Sequence, residues 1–270
     1  MKKLLLASAV ATALAAPAAV FAQAAAPAAA PASPHTFTGN VTLASEYLYR
    51  GIAQTRGEPA IQGGFDYSHA SGLYVGTWAS NISWLSDGLV GVTAPIEWDV
   101  YGGFKNSFAG GDWGYDVGVL TYNYPARGWP SGVAKPDTQE IYGALSYKWL
   151  SLKYSVTLGN LFGFTVPVTG AKTSGSGYLD LTGTWDLGNG LGLTAHIGHQ
   201  DVRHFSAASY TDWKVGVTKD LGFGTVGLAY SDTDAKQNCT TGDPYCFVNT
   251  AGVTYQGGKG RVLLTFGKTF

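Results

Sequence analysis

Stretch after stretch of roughly ten residues in this chain alternates apolar with polar side chains, and the connections between them are alternately short and long. Ile96, Trp98 and Val100 oppose Glu97, Asp99 and Tyr101. Ile141, Leu145 and Tyr147 oppose Glu140, Tyr142, Ser146 and Lys148. Leu152, Tyr154, Val156 and Leu158 oppose Lys153, Ser155 and Thr157. Leu179, Leu181 and Trp185 oppose Asp180, Thr182, Thr184 and Asp186, and Trp213, Val215 and Val217 oppose Asp212, Lys214 and Thr218. A period of two is the signature of a strand with two unlike faces. Strands are predicted at 39–50, 59–70, 72–83, 94–104, 112–123, 139–149, 151–161, 177–187, 190–200, 210–220, 223–233 and 260–270. In the first of them Val41, Leu43, Tyr47 and Tyr49 point one way, and Thr42, Ala44, Glu46 and Arg50 the other.

The connections sort just as clearly. Short turns fall at 70–72, 105–111, 149–151, 187–190 and 220–223; longer loops fall at 51–58, 84–93, 124–138, 162–176, 201–209 and 234–259. Alternating short and long connections imply an antiparallel up-and-down barrel with turns at one end and loops at the other. The fold class predicted is therefore an all-β transmembrane β-barrel of about twelve strands. Residues 247–256 (FVNTAGVTYQ) also alternate. Single-chain bacterial barrels have an even number of strands, so this segment is assigned to the last external loop, with a barrel of about fourteen strands as the alternative.

Composition decides which face points outward. Charged residues make up only 13% of the chain, while 45% is hydrophobic and 13% aromatic. About a quarter of a soluble domain is charged, so this surface would be poorly soluble. A membrane barrel turns its apolar faces and aromatic girdles to lipid and its polar faces to the lumen. After the N-terminus no apolar run is long enough for a membrane-spanning helix.

Met1-Lys2-Lys3, the apolar stretch Leu4–Ala16 and Val20-Phe21-Ala22 read as a secretory signal peptide over 1–22, with the mature chain starting at Gln23. No cysteine lies nearby, which excludes a lipoprotein anchor there. Residues 23–35 form an Ala/Pro-rich linker on the periplasmic side, and 36–270 the barrel. Of 17 basic residues, 15 remain once Lys2 and Lys3 are removed, against 18 acidic ones. That net charge of −3 gives no footprint for nucleic acid. In an exported chain Cys239 and Cys246 are expected to form a disulfide, and nothing beside them completes a metal site.

In the final segment RVLLTFGKTF, Val262, Leu264, Phe266 and the terminal Phe270 share one face. It resembles the C-terminal insertion signal of outer-membrane barrels, which implies the barrel-assembly machinery as a partner; Lys268 stands where an aromatic or apolar residue is usual. Longer pieces carry a second resemblance. SEYLYRGIAQ, PAIQGGFDYSHASGLYVGTWASN, IEWDVYGGF, YDVGVLTYNYP, QEIYGALSYKW and LAYSDTD, with the cysteine pair and the C-terminal strand, are similar to the TorF-like porin family of proteobacterial outer-membrane proteins. The likeness covers most of the mature chain, is most specific over 45–82, and departs at 247–258. It implies an outer-membrane barrel with a transport role and assigns no catalytic residue.

The face predicted to line the lumen carries Glu46, Asp66, Glu97, Asp99, Asp116, Glu140, Asp180, Asp186 and Asp212 against Arg50, Lys148, Lys153 and Lys214. Rings of carboxylates favour cations, which points to passive, cation-leaning passage of small hydrophilic solutes or ions. Equally, the same charges could pair and fill the interior. Glu46 and Arg50, four apart on one strand, are expected to face each other. Two other functions compete: a non-transporting barrel whose loops mediate adhesion or partner binding, and an outer-membrane hydrolase. For the hydrolase, His196, His199, Asp201 and His204 look clustered, but on a strand His196 and His199 face opposite sides, and no serine stands beside them. The motif Gly222-Phe223-Gly224-Thr225-Val226-Gly227 lacks a following helix and reads as a turn. No catalytic residue, metal ligand or cofactor is assigned. The partners expected are membrane lipid, the assembly machinery and small solutes.

Overall fold

The structure, a computed structural model, describes residues 33–167 and 169–270; the predicted signal peptide and most of the linker lie outside them. The strands are β1 (His35–Ala44), β2 (Leu48–Tyr49), β3 (Ile52–Ala53), β4 (Ala60–His69), β5 (Leu73–Asn81), β6 (Ile96–Phe108), β7 (Trp113–Asn123) and β8 (Thr138–Tyr147). There follow β9 (Leu150–Thr157), β10 (Gly177–Gly188), β11 (Leu191–Asp201), β12 (Tyr210–Asp220), β13 (Thr225–Thr233), β14 (Cys246–Val248), β15 (Thr254–Gln256) and β16 (Arg261–Thr269), with a one-turn helix α1 at Trp84–Gly88. Twelve of the strands close an antiparallel barrel in the order β1-β4-β5-β6-β7-β8-β9-β10-β11-β12-β13-β16. The remaining four form two small hairpins, β2-β3 and β14-β15. Segment 247–256 is thus a loop hairpin rather than a thirteenth wall strand, as its placement in the last loop predicts.

The barrel closes where β16 pairs with β1, from Asn40 against Thr269 to Ala44 against Thr265. Phe270 extends that seam, its N–H donating to the Gly39 carbonyl at 2.8 Å and its carbonyl accepting from Gly39 at 3.2 Å. At the turn end, Asn189 and Gly190 join β10 to β11 with φ of 53° and 71°. Two positive φ values make this the type I′ geometry that Asn-Gly favours.

Inside and outside are inverted relative to a soluble protein. Ile96 and Trp98 are 38% and 48% exposed, whereas Glu97 and Asp99 between them are 1% and 2% exposed. The same holds around the wall: Ile141, Leu145, Leu152, Leu179, Leu181, Trp213, Val215 and Val217 face outward. Aromatic rings gather on the outer surface near the turn end, among them the pairs Phe108–Trp113, Trp113–Tyr147 and Trp149–Trp185. Trp213 and Tyr230 stand together near the loop end. Two bands of rings bounding an apolar belt match a wall built to sit in a bilayer.

Three predictions on the wall need correction. β1 ends at Ala44 instead of running to residue 50. Tyr47 is consequently buried at 1% exposure and Tyr49 is half-buried, so neither shares the outward face of Val41 and Leu43. Lys148 lies in the β8–β9 turn with φ 51° and pairs with Asp112 at 3.7 Å, both about half exposed; it does not enter the lumen. Asp186 is exposed at the turn end, accepting from the Gly188 N–H at 2.8 Å.

Candidate functional site

The segment that leaves β1 turns into the barrel. Ser45 caps the seam: its N–H donates to the Leu264 carbonyl at 2.8 Å and its hydroxyl accepts from the Leu264 N–H at 3.0 Å. Beyond it, Leu48 pairs with Ala53 and Tyr49 with Ile52, leaving Arg50-Gly51 as a two-residue turn. Both turn residues have positive φ, 47° and 78°. A type I′ turn needs that geometry and normally takes Asn-Gly. An arginine held there costs roughly 1–2 kcal/mol of backbone strain. Such strain persists only where the surroundings fix it, and it concentrates at functional positions. The tip is wedged against the wall, since a Cβ on Gly51 would lie 2.4 Å from the Thr233 methyl and 2.9 Å from the Asp212 Cβ.

From this tip Arg50 reaches across the lumen. Its guanidinium donates to both carboxylate oxygens of Glu140 on β8 (3.0 and 2.8 Å) and to the Gln200 side-chain carbonyl on β11 (2.7 Å). It also stacks over the Tyr178 ring at 4.1 Å and the Tyr49 ring at 4.8 Å. The Arg50 and Glu140 side chains are 9% and 2% exposed. The predicted Glu46–Arg50 pair is not formed. Because the chain turns inward after Ser45, Glu46 instead meets Arg261 of the last wall strand at 3.3 Å, and accepts from Tyr255 at 2.7 Å and from the Gly57 N–H at 2.8 Å. In the last loop, burial first and the Glu46 hydrogen bond second push the Tyr255 phenol above its ordinary pKa.

The remaining predicted lumen residues fall into tiers. Nearest the loops, Glu97 accepts from Tyr47 at 2.6 Å and from Tyr124 at 2.8 Å. Asp99 lies one step deeper on β6, buried, with its Oδ1 unpartnered among the described residues. Deeper still, Tyr74 donates to Asp116 at 2.5 Å and contacts the Tyr142 hydroxyl, and Lys153 Nζ lies 3.9 Å from the Tyr142 ring centre. Tyr101 donates to Asp66 at 2.6 Å. On the opposite wall His196 stands between Asp212 (2.8 Å) and Asp180 (3.3 Å), with Tyr178 donating to Asp212 at 2.8 Å. His199 points outward to Thr211 and His204 sits in a loop, so the three histidines do not converge. Among the described residues no group of three or more His, Cys, Asp or Glu side chains is placed to hold a metal ion.

Of the tyrosines that complete these tiers, Tyr101 and Tyr142 fall on the polar face read from the sequence, whereas Tyr47, Tyr74, Tyr124 and Tyr178 are the part that sequence reasoning missed. Their signal is glycine on the neighbouring strand. A Cβ on Gly198 would lie 2.0 Å from the Tyr178 hydroxyl, and one on Gly118 would lie 2.6 Å from that of Tyr142. Only the absence of a side chain lets these rings lie flat along the inner wall.

Above the tiers, two apolar clusters close the loop end. One gathers Tyr47, Trp78, Leu85, Leu120, Tyr122 and Tyr124; the other gathers Ile52, Leu161, Val202, Tyr210 and Tyr245, and Phe162 packs against both. Toward the turn end the lumen loosens, and the inward-facing Thr184, Thr194, Thr218 and Thr265 are only half-buried. The interior is a polar cup, shut at the loops and accessible at the turns. The disulfide expected from sequence joins Cys239 and Cys246 within the last loop, beside the β14-β15 hairpin.

Residues 28–270 match the family described as "Bacterial protein of unknown function (Gcw_chp)". The chain belongs to the Gcw_chp family. That description assigns the family no function, and the TorF-like resemblance is matched only as far as a bacterial family of this extent. No curated protein matches the chain. Among solved structures it is similar to the KdgM porin, at 6% identity and a TM-score of 0.48, covering 86% of this chain and 98% of the porin. It is also similar to the COG4313 outer membrane channel from Pseudomonas putida F1, at 9% identity and a TM-score of 0.47, covering 89% and 97%. A third is the NanC porin, at 11% identity and a TM-score of 0.44, covering 87% and 98%. Sequences this distant do not carry a substrate across.

Proposed function

We propose that this member of the Gcw_chp family is an outer-membrane channel for small hydrophilic solutes or ions, held shut in this conformation by the inward hairpin at 45–58. In this reading residues 1–22 direct export, 23–35 link to the barrel, and the C-terminal strand ending at Phe270 engages the assembly machinery. The observation that carries the reading is the latch itself: a strained arginine at a hairpin tip, bound to both oxygens of one wall carboxylate, bridges a lumen otherwise lined with charge. A wall needing only to be filled could use apolar side chains, because replacing a buried ion pair with well-packed apolar groups is often neutral or stabilising. A charged bridge on a loop can instead be released into water. About sixteen strands leave an open channel and about eight are filled by side chains, so a twelve-stranded barrel that a single hairpin can shut is intermediate in width.

Six buried carboxylates (Glu97, Asp99, Asp116, Glu140, Asp180 and Asp212) face the same interior as Arg50, Lys153 and Lys214, which supports a cation-leaning path once the hairpin moves. The test is single-channel recording of the refolded protein in a planar bilayer, with the reversal potential measured under a salt gradient. Rare openings with a cation-shifted reversal are expected. A folded barrel that never conducts, with the hairpin latched or unlatched, would overturn the channel reading and leave the external loops as the working part.

A further inference from the structure

On the lipid-facing side of the wall, β1, β4, β5 and β6 lie side by side, and their outward residues fall into successive rows. His35 pairs with His69 at the turn end; next come Phe37, Tyr67 and Val75; next come Gly39, Phe65, Thr77 and Val100. Phe37 and Phe65 stand out from the wall at 75% and 73% exposure. The Phe65 ring leans back over β1, where a Cβ on Gly39 would lie 3.2 Å from its Cε1. In front of that ring the wall drops to Val75, Thr77 and Val100, leaving a groove of about 500 Å³ flanked by Phe37, Phe65 and Tyr67. The one hydroxyl on its floor is spent on neighbours: Thr77 donates to the Asp99 carbonyl at 2.8 Å and accepts from the Trp98 indole N–H at 2.7 Å. Asp66, next to Phe65 in β4, is turned into the lumen and accepts from Tyr101 there.

We infer that this groove binds one phospholipid of the leaflet on the turn side, with an acyl chain along its floor and the phosphate at its foot against His35 and His69. Three observations specify that ligand. First, the groove lies in the apolar belt, beside the outward Val41, Leu43 and Ile61, so what reaches it in a bilayer is aliphatic chain. Second, its foot is polar and offers donors. The His69 Nδ1 accepts from the Ser71 N–H at 3.1 Å, which puts the ring proton on Nε2, and that N–H has no acceptor among the described residues. The His35 ring lies 5.2 Å from it, with Nδ1 against the Tyr67 hydroxyl at 2.9 Å and Nε2 again without a partner among the described residues. A phosphodiester is an anion that only accepts, so it matches this foot, and hydrogen bonds to an anion are the stronger kind. Third, these rows carry no carboxylate side chain to repel it, and the chain end at Phe270 meets Gly39 from the far side of β1. A second barrel seated here would bury Phe37 and Phe65 equally well, but its apolar outer wall has no acceptor to give the two imidazoles. Because lipid tails are as apolar as the wall itself, the hold on the chain comes from fit and from the headgroup rather than from excluding water.

The site does not depend on conduction, and its test does not read conduction. The delipidated protein in dodecyl maltoside is titrated with dioleoylphosphatidylglycerol and followed by native mass spectrometry. Dioleoylglycerol, which has the same chains and no phosphate, is the control. One phospholipid per barrel should saturate before further copies add, and dioleoylglycerol should be retained roughly tenfold less or weaker still. Val75→Trp, which fills the groove from its floor, should remove the saturable copy. His35→Ala combined with His69→Ala leaves the groove and strips its foot, and should weaken retention roughly tenfold or more. Heat-modifiable gel mobility reports that each variant still forms a barrel, and either variant alone suffices if the other does not fold. Absence of a saturable copy, equal retention of dioleoylglycerol, or wild-type retention in a folded variant would overturn the inference. So would a dimer that Val75→Trp converts to monomer, which would assign the groove to a second barrel.

Discussion

Removing Arg50 tests the latch directly, and its size can be worked out from the contacts. In Arg50→Ala, Glu140, whose side chain is 2% exposed beneath the docked hairpin, loses both guanidinium hydrogen bonds and among the described residues keeps the Tyr122 hydroxyl at 3.2 Å. Breaking a buried pair by deleting one partner costs about 3–5 kcal/mol, because the surviving charge is stranded. Loss of the Gln200 bond and of the Tyr178 stack adds to that, while relief of the left-handed backbone at position 50 is absent, since alanine is as strained there as arginine. The destabilised object is the docked hairpin; β1 and β4 on either side keep their ladder. If the docked and released states interconvert, 3–5 kcal/mol multiplies the open-to-closed ratio by roughly 10²–10⁴. The assay is open probability in single-channel records at fixed voltage, with wild type and Arg50→Ala shown folded by heat-modifiable mobility. A channel that opens once in thousands of dwell times in the wild type should be open for much of the record in the variant. The double variant Arg50→Met with Glu140→Met, which removes both charges, should close again. Unchanged open probability in a folded Arg50→Ala barrel would refute the latch, and so would equal opening in the single and double variants.

Further outcomes follow from the same geometry. Gly198→Ala forces Tyr178 off the inner wall and so disturbs the ring under Arg50; it should raise open probability without touching either latch residue. Asp99→Asn removes a buried carboxylate with an unpartnered oxygen beside Glu97; the denaturation midpoint should rise, by at least about 1 kcal/mol in unfolding free energy, and the reversal potential should move toward zero. Reducing the Cys239–Cys246 disulfide frees a closed loop of about eight residues, worth about 2–3 kcal/mol of local constraint. Proteolysis within 237–246 should speed up roughly 30- to 150-fold, while the unfolding midpoint of the barrel stays where it was.

The wall was legible in the sequence because a barrel strand repeats one simple rule. Side chains alternate, and the low charge content says which face meets lipid. That is why the twelve wall strands, the lumen positions of Glu97, Asp99, Asp116, Glu140, Asp180 and Asp212, and the disulfide all follow from local pattern. The hairpin was not legible for the same reason. Ser45 to Arg50 continues the alternation of β1, so Tyr47 and Tyr49 read as outward wall residues although they are buried. The only local sign of the turn is Arg50-Gly51 between two apolar residues, and arginine is not the residue that such a turn prefers. Lys148 misled in a similar way, completing the inward face of β8 by parity while the chain had already turned. The two apolar clusters at the loop end had no sequence signal, because their members are spread from Tyr47 to Tyr245 and only barrel closure brings them together.

That closure also sets an order of events. Ser45 is bonded to Leu264, 219 positions later, and Glu46 to Tyr255, 209 positions later. Contacts between such remote parts of a chain form late, after nearer pairings have shortened the intervening loop. The hairpin therefore has no complete seat until the last strand is zipped to the first. Until that seam forms, Ser45 and Glu46 at the base of the hairpin lack these remote partners. Shutting the lumen is then the final act of biogenesis, and a sealed barrel is by construction one whose two ends have met.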